Sequence, residues 1–169
     1  QSIFWEFGSG VVVPETGVLF QNRGASFTLH DGPNQLGPGR LPFHTLNPAL
    51  AKLKDGSVLT YGTMGGEGQP QTQSAIFTRN VMFGQDLQDA ITKPRWLLGK
   101  TWGDETTSLK LENRFDPALI DQLEKAGHVV ELVGPYEDIM GHAGGIRLQS
   151  NGVMEGATDP RADGAVAAL

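Results

Sequence analysis

Ala49-Leu50-Ala51-Lys52-Leu53-Lys54-Asp55-Gly56-Ser57-Val58-Leu59-Thr60-Tyr61-Gly62-Thr63-Met64-Gly65-Gly66 is the stretch on which the architecture turns. Residues 49–54 alternate, Asp55-Gly56 is a tight-turn pair, and residues 58–61 favour extended backbone. Together they predict a hairpin. The second strand runs out into glycines at 62–68, and a helical pattern begins near Pro70. A strand thus hands over to a helix through two adjacent glycines. Without Cβ atoms, Gly65 and Gly66 can turn backbone N–H groups into a cleft. Such donors stabilise the oxyanion of a tetrahedral intermediate. On this pattern alone, an ordinary strand-to-helix turn is the commoner explanation of the glycines.

Downstream, Ala75, Ile76, Val81 and Met82 are expected on one helical face. Asp86 to Thr92 reads as a second helix, closed by Pro94. Ser108 to Glu112 alternates as a strand. Asp116-Pro117 opens a further helix with an N-cap and a first-turn proline, and Gly127 ends it. Val129 to Val133 and Gly145 to Gln149 read as strands, the latter joined by Asn151-Gly152 to Val153-Met154. Upstream, Ser2 to Phe7 reads as a strand broken by Gly8-Ser9-Gly10. Val11-Val12-Val13 suits a strand buried on both faces. Pro14 to Gly17 turns the chain into Val18-Leu19-Phe20, and 30–40 reads as a loop. The expected whole is one α+β domain over 1–169, with antiparallel sheet layers covered by helices.

The composition excludes several classes. Of 169 residues, 38% are hydrophobic and 19% charged, a globular balance. Net charge is -6, and Lys and Arg form no basic run, so no nucleic-acid partner is expected. No apolar run is long enough to span a bilayer, so no membrane partner is expected either. Absence of Cys removes thiolate catalysis and Cys-ligated metals, and leaves cytoplasm and periplasm both open. His30, His44, His128 and His142 show no HxH or HxxxH spacing, so no metal site is expected. Asp159-Pro160-Arg161 is either an anchored ion-pair motif or, as is commoner for such strings, a solvated tail.

Several strings, in order, resemble the small subunit of gamma-glutamyltranspeptidases. They are Phe7-Gly8-Ser9-Gly10-Val11-Val12, Thr16-Gly17-Val18-Leu19, Gln21-Asn22-Arg23, Pro42 to Pro48, Thr63-Met64-Gly65-Gly66, Ala90 to Trp96 with Pro94-Arg95-Trp96, and Gly156 to Arg161. Each is weak alone; the order makes them specific, and they cover essentially the whole chain. The resemblance implies an N-terminal-nucleophile hydrolase αββα sandwich, of which this chain is the small-subunit half. It implies a partner, the large subunit of the same precursor. It also implies a precursor that cleaves itself before a Thr, whose α-amino group then serves as base while its hydroxyl attacks a gamma-glutamyl or related acyl amide. The two-glycine turn holds the oxyanion, and neither metal nor organic cofactor is needed. Gln1 has no hydroxyl, so the nucleophile is expected upstream, and this chain alone is expected to be inactive.

By the same resemblance, Ser2 stands where a Thr hydroxyl assists the nucleophile. Departures from the family cluster where substrate is bound. Phe4 replaces an Asn that faces the substrate carboxylate. Ser26 stands near an Asp that pairs with the substrate α-amino group. His44-Thr45 replaces a Ser pair that binds the α-carboxylate, and Arg23 replaces a Gln. Losing the partner of an ammonium removes a contact of about 1.5–3 kcal/mol. The implied acyl pocket is more open and more apolar and does not demand a free α-amino acid, as in the cephalosporin-acylase-like branch. Read as plain residues, Phe4 and Trp5 are strand packing and Ser2 a buried strand serine. The competing functional reading is a non-catalytic binding or structural member of the same fold. An upstream residue other than Thr, Ser or Cys would favour it.

Overall fold

A computed structural model describes residues 2–101 and 105–168. Gln1, on which one sequence expectation falls, lies outside the described residues. The chain divides into two compact units, one up to Leu46 and one from Asn47 onward.

In the first unit, strand β1 (Val12–Val13) pairs antiparallel with β2 (Val18–Leu19), placing Val12 opposite Leu19. The turn between them closes with Gly17 N–H donating to the Val13 carbonyl at 2.8 Å, Gly17 taking φ 69°. Burial on both faces does not occur: Val11, Val12 and Val18 are each more than half exposed. A two-stranded ribbon carries no second layer within its unit. Ser2 to Phe7 is not a strand either. Its backbone closes on itself in turns, with Gly8 N–H to the Trp5 carbonyl at 2.8 Å and Gly10 N–H to the Phe7 carbonyl at 3.0 Å. Strand propensity expresses itself only beside a pairing strand; here local turn bonds prevail. A short 3₁₀ helix, Arg23–Ser26, follows. The 30–40 loop is gathered by a bridge between Thr28 and Gln35.

The second unit holds the expected hairpin. β3 (Ala49–Lys52) pairs antiparallel with β4 (Val58–Thr63), and Gly56 at φ 83° makes the turn. Asp55 clasps that turn: one carboxylate oxygen accepts the Ser57 amide at 2.9 Å and its hydroxyl at 2.6 Å, and the other pairs with Arg147 at 2.8 Å. Two later strands complete the antiparallel sheet in the order β3-β4-β8-β9. They are β8 (Ala143–Leu148) and β9 (Met154–Thr158). One face of the sheet is covered by α1 (Gln69–Phe77) and α2 (Leu87–Thr92). The core between them is Leu59, Ile76, Leu87, Ile91, Ala143 and Ala157. Asp86 caps α2 through the amides of Gln88 and Asp89.

α1 runs on into a π-helical turn, Thr78–Met82. That turn carries one residue more than an α turn, so the apolar face rotates out of register. Ile76 and Val81 still meet the core, Met82 is 70% exposed, and Asn80 is buried in its place.

A second sheet has order β5-β6-β7: β5 (Trp96–Leu98), β6 (Leu109–Glu112) and β7 (Val130–Val133). β5 and β6 are antiparallel, but β6 and β7 are parallel, joined across α3 (Pro117–Lys125). The expectation of wholly antiparallel layers is therefore corrected. The Asp116 cap and the Gly127 stop give a helix between two strands, and such a crossover brings the strands in parallel. As the central strand, β6 is buried at all four residues, Lys110 and Glu112 included, rather than on alternate ones.

Candidate active site

β4 ends at Thr63, and the chain turns through Met64 and Gly65 into a 3₁₀ turn, Gly66–Gly68, that leads into α1. Gly65 has φ 129° and Gly66 φ 52°, both in the region that residues with a Cβ avoid. A Cβ on either would meet nothing closer than 3.6 Å, so conformation rather than space selects glycine. Among the described residues, neither the Gly65 nor the Gly66 amide donates to a carbonyl. Two adjacent N–H groups at the mouth of a helix are thus available to an anionic oxygen.

The turn is held from behind by the segment 140–141. Gly141, at φ 82°, lies so close that a Cβ there would stand 2.5 Å from both the Met64 carbonyl oxygen and Thr63 Oγ1. Thr63 Oγ1 donates to the Met64 carbonyl at 2.7 Å. The buried Thr72 hydroxyl, on α1, donates to the Met140 carbonyl at 3.1 Å. Arg95 Nη1 donates to the carbonyls of Met140 at 3.1 Å and Gly141 at 2.7 Å.

Arg95 belongs to a buried charge network. Its Nη2 meets Asp159 at 2.6 Å; the other Asp159 oxygen meets Arg161 Nη1 at 3.0 Å. Arg161 grips Glu112 with two bonds of 2.6 Å, and a Glu112 oxygen also accepts the Arg95 amide at 3.0 Å. Each of these four residues is at most 5% exposed. Burial lowers the Arg95 pKa to about 10, although Asp159 works against that shift. Burial pulls Arg161 the same way, but Glu112 and Asp159 together hold it above its ordinary value. Asp159-Pro160-Arg161 is thus an anchored ion-pair motif, not a solvated tail. Asp159 reaches further, accepting the Ala143 amide at the start of β8 at 2.6 Å.

In the first unit, three of the expected binding residues, Phe4, Ser26 and Thr45, gather round a fourth, Arg23, and Ser2 joins them through the backbone of Phe4. Arg23 is 6% exposed. Its Nη1 donates to Thr45 Oγ1 at 2.6 Å, and its guanidinium carbon lies 5.5 Å from the centre of the Phe4 ring. Ser26 Oγ donates to the Arg23 carbonyl at 2.7 Å, and the Ser26 carbonyl accepts from Asn34 Nδ2. Ser2 Oγ accepts the Phe4 amide at 3.1 Å. Phe4 sits at φ 85° and stacks on Trp5, ring centres 5.6 Å apart. His44 is exposed. Among the described residues no cluster of metal-ligating side chains occurs, and no helix is long and apolar enough to cross a membrane.

Sequence reading missed Thr72, Glu112 and Gly141. Thr72 and Gly141 carry no signal of their own type. Glu112 carries one: an acidic residue closing a strand that is apolar at Leu109 and Leu111 invites a buried cation.

Comparison with known proteins agrees with the architecture. Oxamate amidohydrolase proenzyme of Klebsiella pneumoniae subsp. pneumoniae is 58% identical over 170 residues, covering 99% of this chain and 32% of that protein. Glutathione hydrolase-like YwrD proenzyme of Bacillus subtilis is 46% identical over 170 residues, covering 100% of this chain and 32% of that one. The solved cephalosporin acylase of Bacillus halodurans shares 32% identity at a TM-score of 0.77, over 100% of this chain and 31% of that chain. Our chain thus spans about a third of the length of the relatives it matches. The fold, α+β with helices on an antiparallel sheet, is that of the N-terminal-nucleophile hydrolases. Residues 1–169 match the gamma-glutamyltranspeptidase family model throughout, and the chain belongs to that family.

Proposed function

We propose that this chain is the oxyanion-binding portion of an amide hydrolase or acyltransferase that works through a Thr acyl-enzyme, the Thr lying upstream of residue 1. The observation that carries this reading is the Gly65-Gly66 turn, with two amides that donate to no carbonyl among the described residues. Thr Oγ attacks the amide carbonyl, its proton passing to the threonine α-amino group. The carbonyl oxygen becomes an oxyanion and is met by the glycine amides. Collapse breaks the C–N bond, and the leaving amine takes up the proton. Water, or an acceptor amine, then cleaves the ester and restores the Thr hydroxyl. Ser2 is assigned to the nucleophile's surroundings, and Phe4, Arg23, Ser26, His44 and Thr45 to the acyl group.

The second partner in this reading is the large subunit of the same precursor. Support comes from the apolar surface of the first unit, where Phe7, Leu29, Leu41 and Phe43 are each 63% exposed or more. Patches of this kind mark protein contacts. Relatives named as an oxamate amidohydrolase and a glutathione hydrolase-like protein support amide chemistry as the class.

The test is expression of the whole gene product, followed by mass spectrometry and a panel of gamma-glutamyl, glutaryl and simple acyl anilides. Self-cleavage into two chains, the smaller beginning with Thr, and amide hydrolysis are expected. An uncleaved and inert protein would sink the reading. Strong preference for gamma-glutamyl over glutaryl would refute the assignments of Phe4 and Ser26.

A further inference from the structure

Arg23 poses a problem of charge. It is 6% exposed, yet among the described residues no carboxylate lies within ion-pair distance of it. Its contacts are the neutral Thr45 hydroxyl and the face of the Phe4 ring. Its Nη2 is buried and meets no hydrogen-bond acceptor among the described residues. The other buried arginines are treated differently: Arg95 and Arg161 each meet a carboxylate at 3.0 Å or less. A guanidinium stays protonated, and burying it with neither counter-charge nor a full set of acceptors is costly. Such a donor fork is shaped for a planar carboxylate.

From this we infer that Arg23 is the anchor for a carboxylate on the acyl part of the substrate. The substrate class is an amide whose acyl group carries its own carboxylate and no ammonium. The missing ammonium follows from the same surroundings. Ser26, which the family resemblance sets near the ammonium-binding position, offers a neutral hydroxyl that is already donating to the Arg23 carbonyl, in place of a carboxylate. Phe4 lies beside the guanidinium, its ring centre 5.5 Å from the guanidinium carbon, and gives that side of Arg23 an apolar wall. Water cleaves such a substrate into a dicarboxylate and ammonia or an amine. This inference rests on the amide-hydrolase reading above and names the substrate and its anchor.

The experiment uses the processed product of the full gene. Ammonia release is measured on oxamate, malonamate, succinamate and glutaramate, each beside its neutral methyl ester. In the wild type, kcat/KM is expected to favour at least one acid over its ester by about 10- to 100-fold, the range of a charge-assisted contact. Arg23→Gln should erase that preference, the ratio of kcat/KM for the acid to that for the ester falling to about one. Arg23→Lys should keep part of it, because the charge remains and the fork is lost. Separately, calorimetry should show oxalate or malonate binding to the wild type and not to Arg23→Gln, a readout that needs no turnover.

Equal use of acid and ester by the wild type would overturn the inference even if the variants fail to fold. So would a preference that survives Arg23→Gln. If Arg23 instead pairs with a carboxylate elsewhere in the full protein, Arg23→Gln lowers yield and melting temperature with the preference intact, which also overturns it. Ester hydrolysis without acid preference defeats this inference alone. Absence of hydrolysis on every substrate defeats the amide-hydrolase reading, and dicarboxylate binding would then still show Arg23 as an anion anchor.

Discussion

Gly141 contributes nothing to the oxyanion turn except the absence of a side chain. A methyl group there would stand 2.5 Å from the Met64 carbonyl oxygen, which belongs to the same peptide plane as the Gly65 amide. Pushing that plane rotates one of the two donors. Gly141→Ala is therefore expected to lower kcat by about 10²-fold, the scale of one lost oxyanion donor, with KM little changed. Steady-state kinetics on the processed enzyme checks it; a rise in KM at constant kcat would contradict it. Thr72 acts at one remove through its bond to the Met140 carbonyl. Thr72→Val should reduce kcat by roughly tenfold, about the worth of one buried hydrogen bond, and Thr72→Ser should restore it. A loss in Thr72→Ser with none in Thr72→Val would mean that the methyl group, not the hydroxyl, matters. These relations were invisible in the sequence. Gly65-Gly66 could be read as a turn because adjacent glycines between a strand and a helix have few uses. Gly141 and Thr72 matter only through neighbours about seventy residues away, and no local pattern records that.

At the scale of elements, capping, turn chemistry and the local hairpin were legible, and pairing between distant strands was not. Asp55-Gly56, Asp86 and Asp116-Pro117 each set a boundary by hydrogen bonds to residues two or three positions on, so their structure follows from their spelling. Ser2 to Phe7 has the same β-forming composition as β4, yet it coils because strands need partners that composition does not specify. The π turn at Thr78–Met82 displaced the predicted apolar face for a similar reason. The hairpin clasp allows a test against pH. The Ser57 hydroxyl and amide, with Arg147, hold Asp55 below its ordinary 3.8. A depressed carboxylate stabilises the fold fully above that ordinary value and loses its contribution as pH falls through the lower folded one. Exchange of the Ser57 amide should accordingly quicken at acid pH beyond the intrinsic rate, and Asp55→Asn should remove that extra pH dependence. The same acid response in the variant would count against the clasp.

For the whole molecule, the buried network is the main integrating feature. It ties α2, through the Ile91 carbonyl, to β6, through Glu112, and to the segment after β9, through Asp159 and Arg161. Removing one partner leaves an uncompensated charge in the interior. Asp159→Asn is expected to cost about 3–5 kcal/mol in urea unfolding. It should also slow turnover, since the amide cannot hold Arg95 as the carboxylate does, and Arg95 secures Met140 and Gly141. A variant as stable as the wild type would show that the network is replaceable by neutral bonds. Little in the sequence warned of this burial: charged side chains are normally exposed, and the local hints were Glu112 closing a strand apolar at Leu109 and Leu111 and the opposite charges of Asp159-Pro160-Arg161.

The buried heart of that network, two guanidinium groups against two carboxylates with the partly exposed Arg114 also 3.3 Å from Glu112, bears on how such a protein can change over generations. Losing any one member strands a charge, so no neutral single step leads away from the quartet. Exchanges there must arrive as coupled pairs, whereas an exposed side chain outside any contact can drift alone. Lineages are thus predicted to keep the quartet together or to replace it together, the interior behind the Gly65-Gly66 turn staying fixed by the improbability of double events.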